Sequence, residues 1–211
     1  MKLLHIIATP RGEKSRTLSI SREFLDTMQK KYPRADVEEL NLFDVDLPAV
    51  SGDTVDAKYV LMSGGVLDDA TQESWKRIAD YATEFLSFDI YLITVPMWNF
   101  SVPYQLKHYI DVIMQAGFLF RFTESGAEGL AKNKKMICIT SRGSDYSPGS
   151  PINALDYQEP YLRTVFSLAG IEDITFFNAQ PLDFAPGITK TKLQEVKEKA
   201  KQLAQSLDFF E

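Results

Sequence analysis

Cysteine and histidine are scarce in this sequence, which has one cysteine and two histidines among 211 residues. A single cysteine cannot form an internal disulfide, and the position of Cys138 within the apolar segment KKMICIT predicts a buried, inert thiol. His5 lies in an apolar segment and His108 in a helical one, and neither is spaced from another potential ligand as metal sites require. We therefore expect no metal centre, a satisfied core histidine at position 5 and a surface histidine at position 108.

Long apolar runs and basic clusters are also missing. No segment approaches the ~20 apolar residues of a membrane span, and the N-terminal MKLLHIIATPR has too short an apolar core for a signal peptide. Lysine and arginine number 23 against 29 acidic residues, giving a net charge of -6, which argues against a nucleic-acid partner. We expect a cytoplasmic protein that binds neither membrane nor nucleic acid.

The overall composition is that of an ordinary globular protein. Hydrophobic residues make up 45% of the chain and charged residues 25%, which excludes disordered and fibrous classes. A chain of 211 residues can bury a substantial core, and no repeat, linker or low-complexity segment divides it. We therefore expect one domain that spans residues 1–211.

Apolar segments typical of buried strands alternate with helical patterns along the chain. The predicted strands are 3–8, 35–42, 90–95, 134–140 and 173–179. The helical patterns cover 17–32, 71–88, the segment after Pro103, 161–169 and the tail from 189. This alternation predicts an α/β fold with a five-stranded parallel sheet, order 2-1-3-4-5, and helices on both faces. Ligands bind such sheets beyond the carboxyl ends of the strands, so the loops after the first, third and fourth strands are the candidates.

The loop after the first strand, TPRGEKSRT, places the hydroxyls of Thr9, Ser15 and Thr17 where a helix begins. A helix N-terminus attracts anions through its free N–H groups and its dipole, so this loop fits a phosphate. It is neither a P-loop nor a dinucleotide fingerprint, because the required second glycine and lysine, or the GxGxxG pattern, are absent. An ordinary polar turn with Thr17 as the N-cap is the alternative.

The loop after the third strand, VPMWNFSVP, carries three large side chains and an amide: Met97, Trp98, Phe100 and Asn99. Aromatic and thioether groups on a loop need apolar cover, and an amide can both donate to and accept from ring heteroatoms. The composition therefore predicts a planar heteroaromatic ligand. The alternative is that these side chains cap the core or form a subunit contact.

The loop after the fourth strand begins with Ser141, Arg142, Gly143 and Ser144. A glycine lets the backbone approach a ligand closely, and its N–H groups together with Arg142 could stabilise negative charge on a ring. A flexible surface turn is the alternative. Taken together, the three loops supply a phosphate end, a ring-stacking middle and a ring-edge clamp, and this combination predicts bound FMN.

Nearly the whole sequence resembles the FMN-dependent NAD(P)H azoreductase and quinone oxidoreductase family, whose members are flavodoxin-like homodimers. The resemblance runs through TPRGEKSRT, PMWNF, SVPYQLKHYID, GFLFRFTESGAEGL, KKMICITSRG and QEPYLRTVF. It implies a three-layer flavodoxin-like fold and a phosphate site at Thr9, Ser15, Arg16 and Thr17. It implies that the isoalloxazine and ribityl groups contact Pro96, Met97, Trp98, Asn99 and Phe100, and that the pyrimidine side contacts Ser141, Arg142, Gly143 and Ser144. It also implies an acceptor site near Phe120 and Phe122 at the interface of a homodimer.

The resemblance further implies an activity. NADH or NADPH would reduce FMN by hydride transfer to N5, and a quinone or azo compound would then take the electrons in the same pocket, giving ping-pong kinetics. No protein residue is predicted to be catalytic, because the flavin carries the chemistry. A flavodoxin-type electron carrier and a flavin reductase that releases reduced FMN to a partner are the alternatives. A receiver-type signalling domain is excluded, because the first and third strands end without the acidic residues it needs.

Three positions depart from the pattern of the family. Thr9 stands where serine is frequent, Ser144 replaces a second glycine, and Phe122 stands where some members have tyrosine. The first exchange keeps a hydroxyl. The other two concern the choice of electron acceptor and not the identity of the cofactor.

Overall fold

A five-stranded parallel sheet forms the centre of the protein, as seen in a computed structural model that describes residues 1–183 and 185–207. The strands of the molecule are β1 (Lys2–Ile7), β2 (Asp36–Asn41), β3 (Ile90–Pro96), β4 (Phe120–Thr123), β5 (Gly126–Gly129), β6 (Lys135–Ser141) and β7 (Asp173–Ala179). The sheet has the order β2-β1-β3-β6-β7, and β4 and β5 form a separate antiparallel hairpin. Because β1, β3 and β6 are neighbours, the loops after their carboxyl ends meet at one edge of the sheet.

Helices cover both faces of the sheet. They are α1 (Arg16–Lys31), α2 (Gly52–Met62), α3 (Asp69–Leu86), α4 (Tyr104–Ile113), α5 (Glu159–Leu168) and α6 (Pro186–Ser206). One core contains Phe24 of α1 and Ala200 of α6, and the other contains Phe85 of α3, Tyr109 of α4 and Phe166 of α5. The continuous burial of β3 and β6 between these two cores explains their uninterrupted apolar sequences.

The parallel sheet with helices on both faces confirms the α/β prediction, and the five predicted strands follow one another in space as expected. The predicted order 2-1-3-4-5 nevertheless becomes 2-1-3-6-7, because the hairpin adds two strands to the chain before the last two strands of the sheet. The sequence GFLFRFTESGAEGL carries no pattern that predicts a strand. Its two strands have four residues each, which is too short for alternation to be distinguished from a loop.

The tail helix packs as its periodicity predicts, with Val196 and Ala200 buried and Leu193 and Leu203 partly buried against the α1 face. Cys138 is fully buried in β6, and burial raises the pKa of its thiol. Within residues 1–183 and 185–207, no helix has both the length and the hydropathy needed to cross a membrane.

Candidate functional site

A cavity of about 250 Å³ lies at the carboxyl edge of the sheet, where the three predicted loops meet. It is lined by Thr9, Arg11, Ser15, Arg16, Thr17, Pro96, Met97, Trp98, Ser141, Arg142, Gly143 and Asp183. The structure therefore brings together most of the predicted residues and adds Arg11 and Asp183 to them. Three predicted residues, Asn99, Phe100 and Ser144, lie in the same loops but outside this lining.

The first turn of α1 forms the hydroxyl-rich end of the cavity. Ser15 is the N-cap of α1, since its Oγ accepts a hydrogen bond of 3.2 Å from the N–H of Leu18. The alternative that made Thr17 the N-cap is therefore wrong, because α1 begins at Arg16 and Thr17 already lies within the helix. The Thr17 hydroxyl instead lies 2.5 Å from the Ser141 hydroxyl, which connects α1 to the end of β6.

Arg16 is held in place by the segment that follows β7. Its guanidinium donates to the Leu182 carbonyl at 2.6 Å and to the Asp183 carboxylate at 2.7 Å. Asp183 also lies against Gly143, where a Cβ would be only 2.6 Å from its Oδ2. A Cβ at position 143 would therefore displace the Asp183 carboxylate that contacts Arg16, and sequence reasoning gave no signal for Asp183.

The aromatic loop after β3 turns back on itself between Trp98 and Ser101. The two residues exchange backbone hydrogen bonds of 3.0 and 2.9 Å, and the residues between them, Asn99 and Phe100, have positive φ values of 46° and 70°. Positive φ at both central positions is the geometry of a type I′ turn, in which asparagine is common and phenylalanine is an outlier. Such strain costs about 1–3 kcal/mol and is typical of functional sites.

A buried polar network joins this loop to the loop after β6, which begins with Ser141, Arg142 and Gly143. The amide of Gln158 donates to the Pro96 carbonyl at 3.0 Å and accepts from Arg142 Nε at 3.2 Å. Arg142 Nη1 also donates to Asp156 Oδ2 at 2.7 Å, and the whole Arg142 residue is only 2% exposed. The buried Arg142 guanidinium therefore links the loop after β6 to the loop after β3 through Gln158, and both Arg142 and Gly143 belong to the cavity lining.

The comparisons with known proteins agree with this geometry. A family model described as the flavodoxin-like fold matches residues 1–204. An FMN-dependent NADH:quinone oxidoreductase of Pseudomonas fluorescens is 34% identical over 209 residues, which cover 98% of this chain and 97% of that protein. An enzyme of the same name from Desulfotalea psychrophila is 38% identical over 181 residues, 85% of each chain.

This chain belongs to the flavodoxin-like family.

A solved FMN-dependent NADH-azoreductase of Bacillus anthracis in complex with FMN shares 29% identity with the chain, with a TM-score of 0.84 over 96% of this chain and 99% of that one. An azoreductase of Bacillus anthracis strain Sterne superimposes with a TM-score of 0.90 at 24% identity, which is likeness of fold alone. This flavodoxin-like chain thus shares its fold with these two proteins, and open α/β sheets in general bind ligands beyond the carboxyl ends of their strands.

Further aromatic residues surround the mouth of the flavodoxin-like site. Phe43 and Tyr104 pack near Trp98, with ring centroids 6.2 and 6.5 Å from it. Sequence reasoning missed both, because Phe43 lies in the loop after β2 and Tyr104 starts α4 with no pattern to mark them. Phe120 and Phe122 are on β4, where Phe120 is 9% and Phe122 is 65% exposed, and neither is among the residues lining the cavity.

Proposed function

We propose that this protein is an FMN-dependent NADH:quinone oxidoreductase that also reduces azo compounds. The observation that carries the proposal is the composition of the cavity. One part of its lining is the hydroxyl-rich N-terminus of α1 together with Arg11 and Arg16, and another part contains Met97 and Trp98. Relatives at 33–38% identity over most of the chain bear the quinone oxidoreductase name, and a solved neighbour with the azoreductase name contains FMN.

The residues present fit the two ends of FMN. Hydroxyls of Ser15 and Thr17, the N–H groups of the first turn of α1 and the side chains of Arg11 and Arg16 would hold the phosphate. Pro96, Met97 and Trp98 would pack against the isoalloxazine, and Asn99 would supply hydrogen bonds at its edge. Gly143 also lines the cavity, where its backbone would border the edge of the ring.

When bound, FMN would supply the two-electron chemistry by accepting a hydride and passing the electrons on. The protein contributes orientation, since the Gln158 and Arg142 network holds the loops after β3 and β6 at a defined separation. The donor and the acceptor would use the exposed aromatic mouth in turn, which predicts ping-pong kinetics. The partly exposed side chains of Trp98 and Phe100 would keep that mouth apolar.

We also propose that the working form is a homodimer whose interface completes the acceptor site. Large apolar side chains are unusually exposed on α2, where Tyr59 is 64% and Met62 48% exposed, and on the β4 hairpin, where Phe122 is 65% exposed. Exposed apolar surface of this kind is typical of protein contacts. A second subunit would cover it and bring Phe122 near an acceptor.

The experiment that tests the function is anaerobic visible spectroscopy of the protein loaded with FMN. We expect flavin bands that bleach when NADH is added and return when benzoquinone or an azo dye follows, with the flavin still bound after gel filtration. Bound FMN that NADH does not bleach would support an electron carrier instead, and bleaching without reoxidation by quinone or dye would contradict the proposed acceptors. Loss of reduced flavin on the column would support a flavin reductase, and failure to bind FMN at all would overturn the proposal.

A further inference from the structure

A chain of buried polar side chains runs between the sheet and α1, beneath the proposed phosphate site. His5 is fully buried, with Nδ1 3.1 Å from Glu39 Oε1 and Nε2 2.8 Å from the Thr94 hydroxyl. The Thr94 hydroxyl lies 2.5 Å from that of Ser21, and both residues are also fully buried. The sequence predicted a satisfied core histidine at position 5, but these contacts make it part of a longer chain.

The chain of hydrogen bonds continues to the cavity. The Ser21 hydroxyl lies 3.4 Å from the backbone carbonyl of Thr17. That carbonyl belongs to the same peptide group as the N–H of Leu18, which donates to Ser15 Oγ. Ser15 lines the cavity, so a continuous path joins the half-exposed carboxylate of Glu39 to the ligand site.

The protonation state of His5 determines the direction of these hydrogen bonds. In the neutral ring, Nδ1 must carry the proton, because only then can it donate to the Glu39 carboxylate. Nε2 is then an acceptor, so Thr94 donates to His5 and Ser21 donates to Thr94. Each hydroxyl has one proton, and the Thr17 carbonyl receives none from Ser21 in this state.

In the protonated ring both nitrogens donate, so the bond to Glu39 keeps its direction while the two bonds that link Nε2, Thr94 and Ser21 reverse. His5 donates to Thr94, Thr94 donates to Ser21, and the Ser21 proton becomes available to the Thr17 carbonyl. An additional bond to that carbonyl polarises the peptide and strengthens the donation from the N–H of Leu18 to Ser15. Ser15 Oγ is then held more firmly as an acceptor, with its own proton directed away from the helix.

We propose that His5 is a positioning residue: the protonation state of His5, acting through Thr94 and Ser21, sets how tightly the first turn of α1 binds a phosphate group. A histidine changes charge between pH 5 and 8 more readily than other side chains. The protonated state orders the Ser15 hydroxyl and adds a positive charge beneath an anion site, so phosphate binding is tighter at the lower pH. The inference rests on the proposed function, because the phosphate is that of FMN.

The charged groups around His5 come from the elements packed against it. On β2, Glu39 faces Nδ1, and the hydrogen bond from His5 holds the pKa of Glu39 below its usual value. On α1, Arg22 interacts with Glu39 and is paired with Glu13, with Asp26 nearby. From β3, the described neighbours are Thr94 and the apolar Leu92, its partner in register. Glu39 therefore remains ionised throughout the tested range.

The test compares dissociation constants of FMN and riboflavin for the full chain stripped of flavin, at pH 6 and pH 8. The variants are His5→Gln, which keeps polar groups but cannot titrate, and Ser21→Ala, which removes the link to Thr17. Thr27→Ala is the matched control. The Thr27 hydroxyl also donates to the carbonyl four residues earlier in α1, but it takes no part in the series of hydrogen bonds from His5 to Ser15. Riboflavin lacks the phosphate, and the second ionisation of the phosphate itself, near pH 6, contributes equally to every variant.

For the wild type and Thr27→Ala, we expect the gain in FMN affinity from pH 8 to pH 6 to exceed that of both test variants by about fivefold, the low end of coupling between sites. Riboflavin affinity is expected to show no such difference. Equal pH dependence in all four proteins, or the same difference with riboflavin, overturns the inference while leaving the proposed function intact. If His5→Gln does not fold, Ser21→Ala alone decides. Absence of FMN binding by the wild type overturns the inference and the proposed function together.

Discussion

At the scale of single residues, the backbone of the turn between Trp98 and Ser101 sets the shape of the aromatic loop. Asn99 and Phe100 both have positive φ, which orients the two side chains differently from any strand or helix. The Phe100 carbonyl accepts a hydrogen bond of 3.0 Å from the N–H of Tyr157, so the turn is fixed from outside as well. Asparagine at position 99 therefore has both a backbone role and a proposed ligand role.

Replacing Asn99 by glycine and by alanine separates these two roles. Both variants lose the amide, but only alanine is strained at a φ of 46°, so Asn99→Ala should be about 1 kcal/mol less stable than Asn99→Gly. Both should bind FMN more weakly than the wild type, by a similar factor once the difference in folding is taken into account. Urea unfolding and flavin titration of the two variants measure these effects. Equal urea midpoints would show that the turn does not need the positive φ.

Residue chemistry predicts part of the site from sequence. The loop PMWNF indicated an aromatic ligand wall, and the structure places its first three residues at the cavity. Gln158 and Asp183 were missed, because their importance arises from contacts with Pro96 and Arg16, which lie 62 and 167 residues away in the chain. No local pattern reports a partner that the fold brings from that distance.

At the scale of elements, the hairpin β4–β5 is attached to the end of α5 by an unusually close backbone contact. A Cβ on Gly129 would lie 2.2 Å from the backbone nitrogen of Gly170 and 2.4 Å from the carbonyl carbon of Ala169. The N–H of Ala131 also donates to the Ala169 carbonyl at 2.8 Å. The position of the hairpin, and with it that of Phe122, depends on this contact.

Gly129→Ala should therefore separate the hairpin from α5 and lower the stability of the protein. Backbone atoms cannot rotate away as a flexible side chain can, so we expect a loss of about 2–3 kcal/mol. Gly52→Ala is the matched control, because Gly52 has nothing within 4 Å of the added Cβ and begins α2. Thermal unfolding of both variants gives the comparison. A Gly129→Ala protein as stable as Gly52→Ala would mean that the contact opens without cost.

The strands that could be predicted from the sequence are those buried along their whole length. β3 and β6 are covered on both faces, so their sequences are uninterrupted apolar runs that indicate a parallel sheet. The hairpin is mostly exposed and carries two glycines, Gly126 and Gly129, so it has neither the length nor the apolar pattern of a strand. Its conformation follows from docking against α5 and not from its own propensity.

At the scale of the whole molecule, α2 and the residues after it expose several large apolar side chains. Besides Tyr59 and Met62 of α2, Val66 in the loop that follows the helix is 92% exposed. Water contact with such a surface is unfavourable by about 25 cal/mol per Å² that a partner could cover. The proposed homodimer removes this surface from water.

Tyr59→Glu should weaken that dimer by placing a charge on the covered face. We expect the wild type to sediment with twice the mass of the chain and the variant to shift toward the monomer, with slower quinone reduction. Gln202→Glu adds the same charge on the exposed face of α6 and should change neither property. A monomeric wild type, or an unaltered mass for Tyr59→Glu, contradicts this arrangement.

The cavity draws its lining from nearly the full length of the chain, between Thr9 and Asp183. A ligand there would touch loops that follow three different strands, so the complete site exists only while the whole sheet is folded. Its binding energy then adds to the global free energy of unfolding, which for a tight ligand in hundredfold excess over its dissociation constant is about 2.7 kcal/mol. The melting temperature of this protein is thus a measure of how fully its site is occupied, and preparations that differ in flavin content will melt at different temperatures.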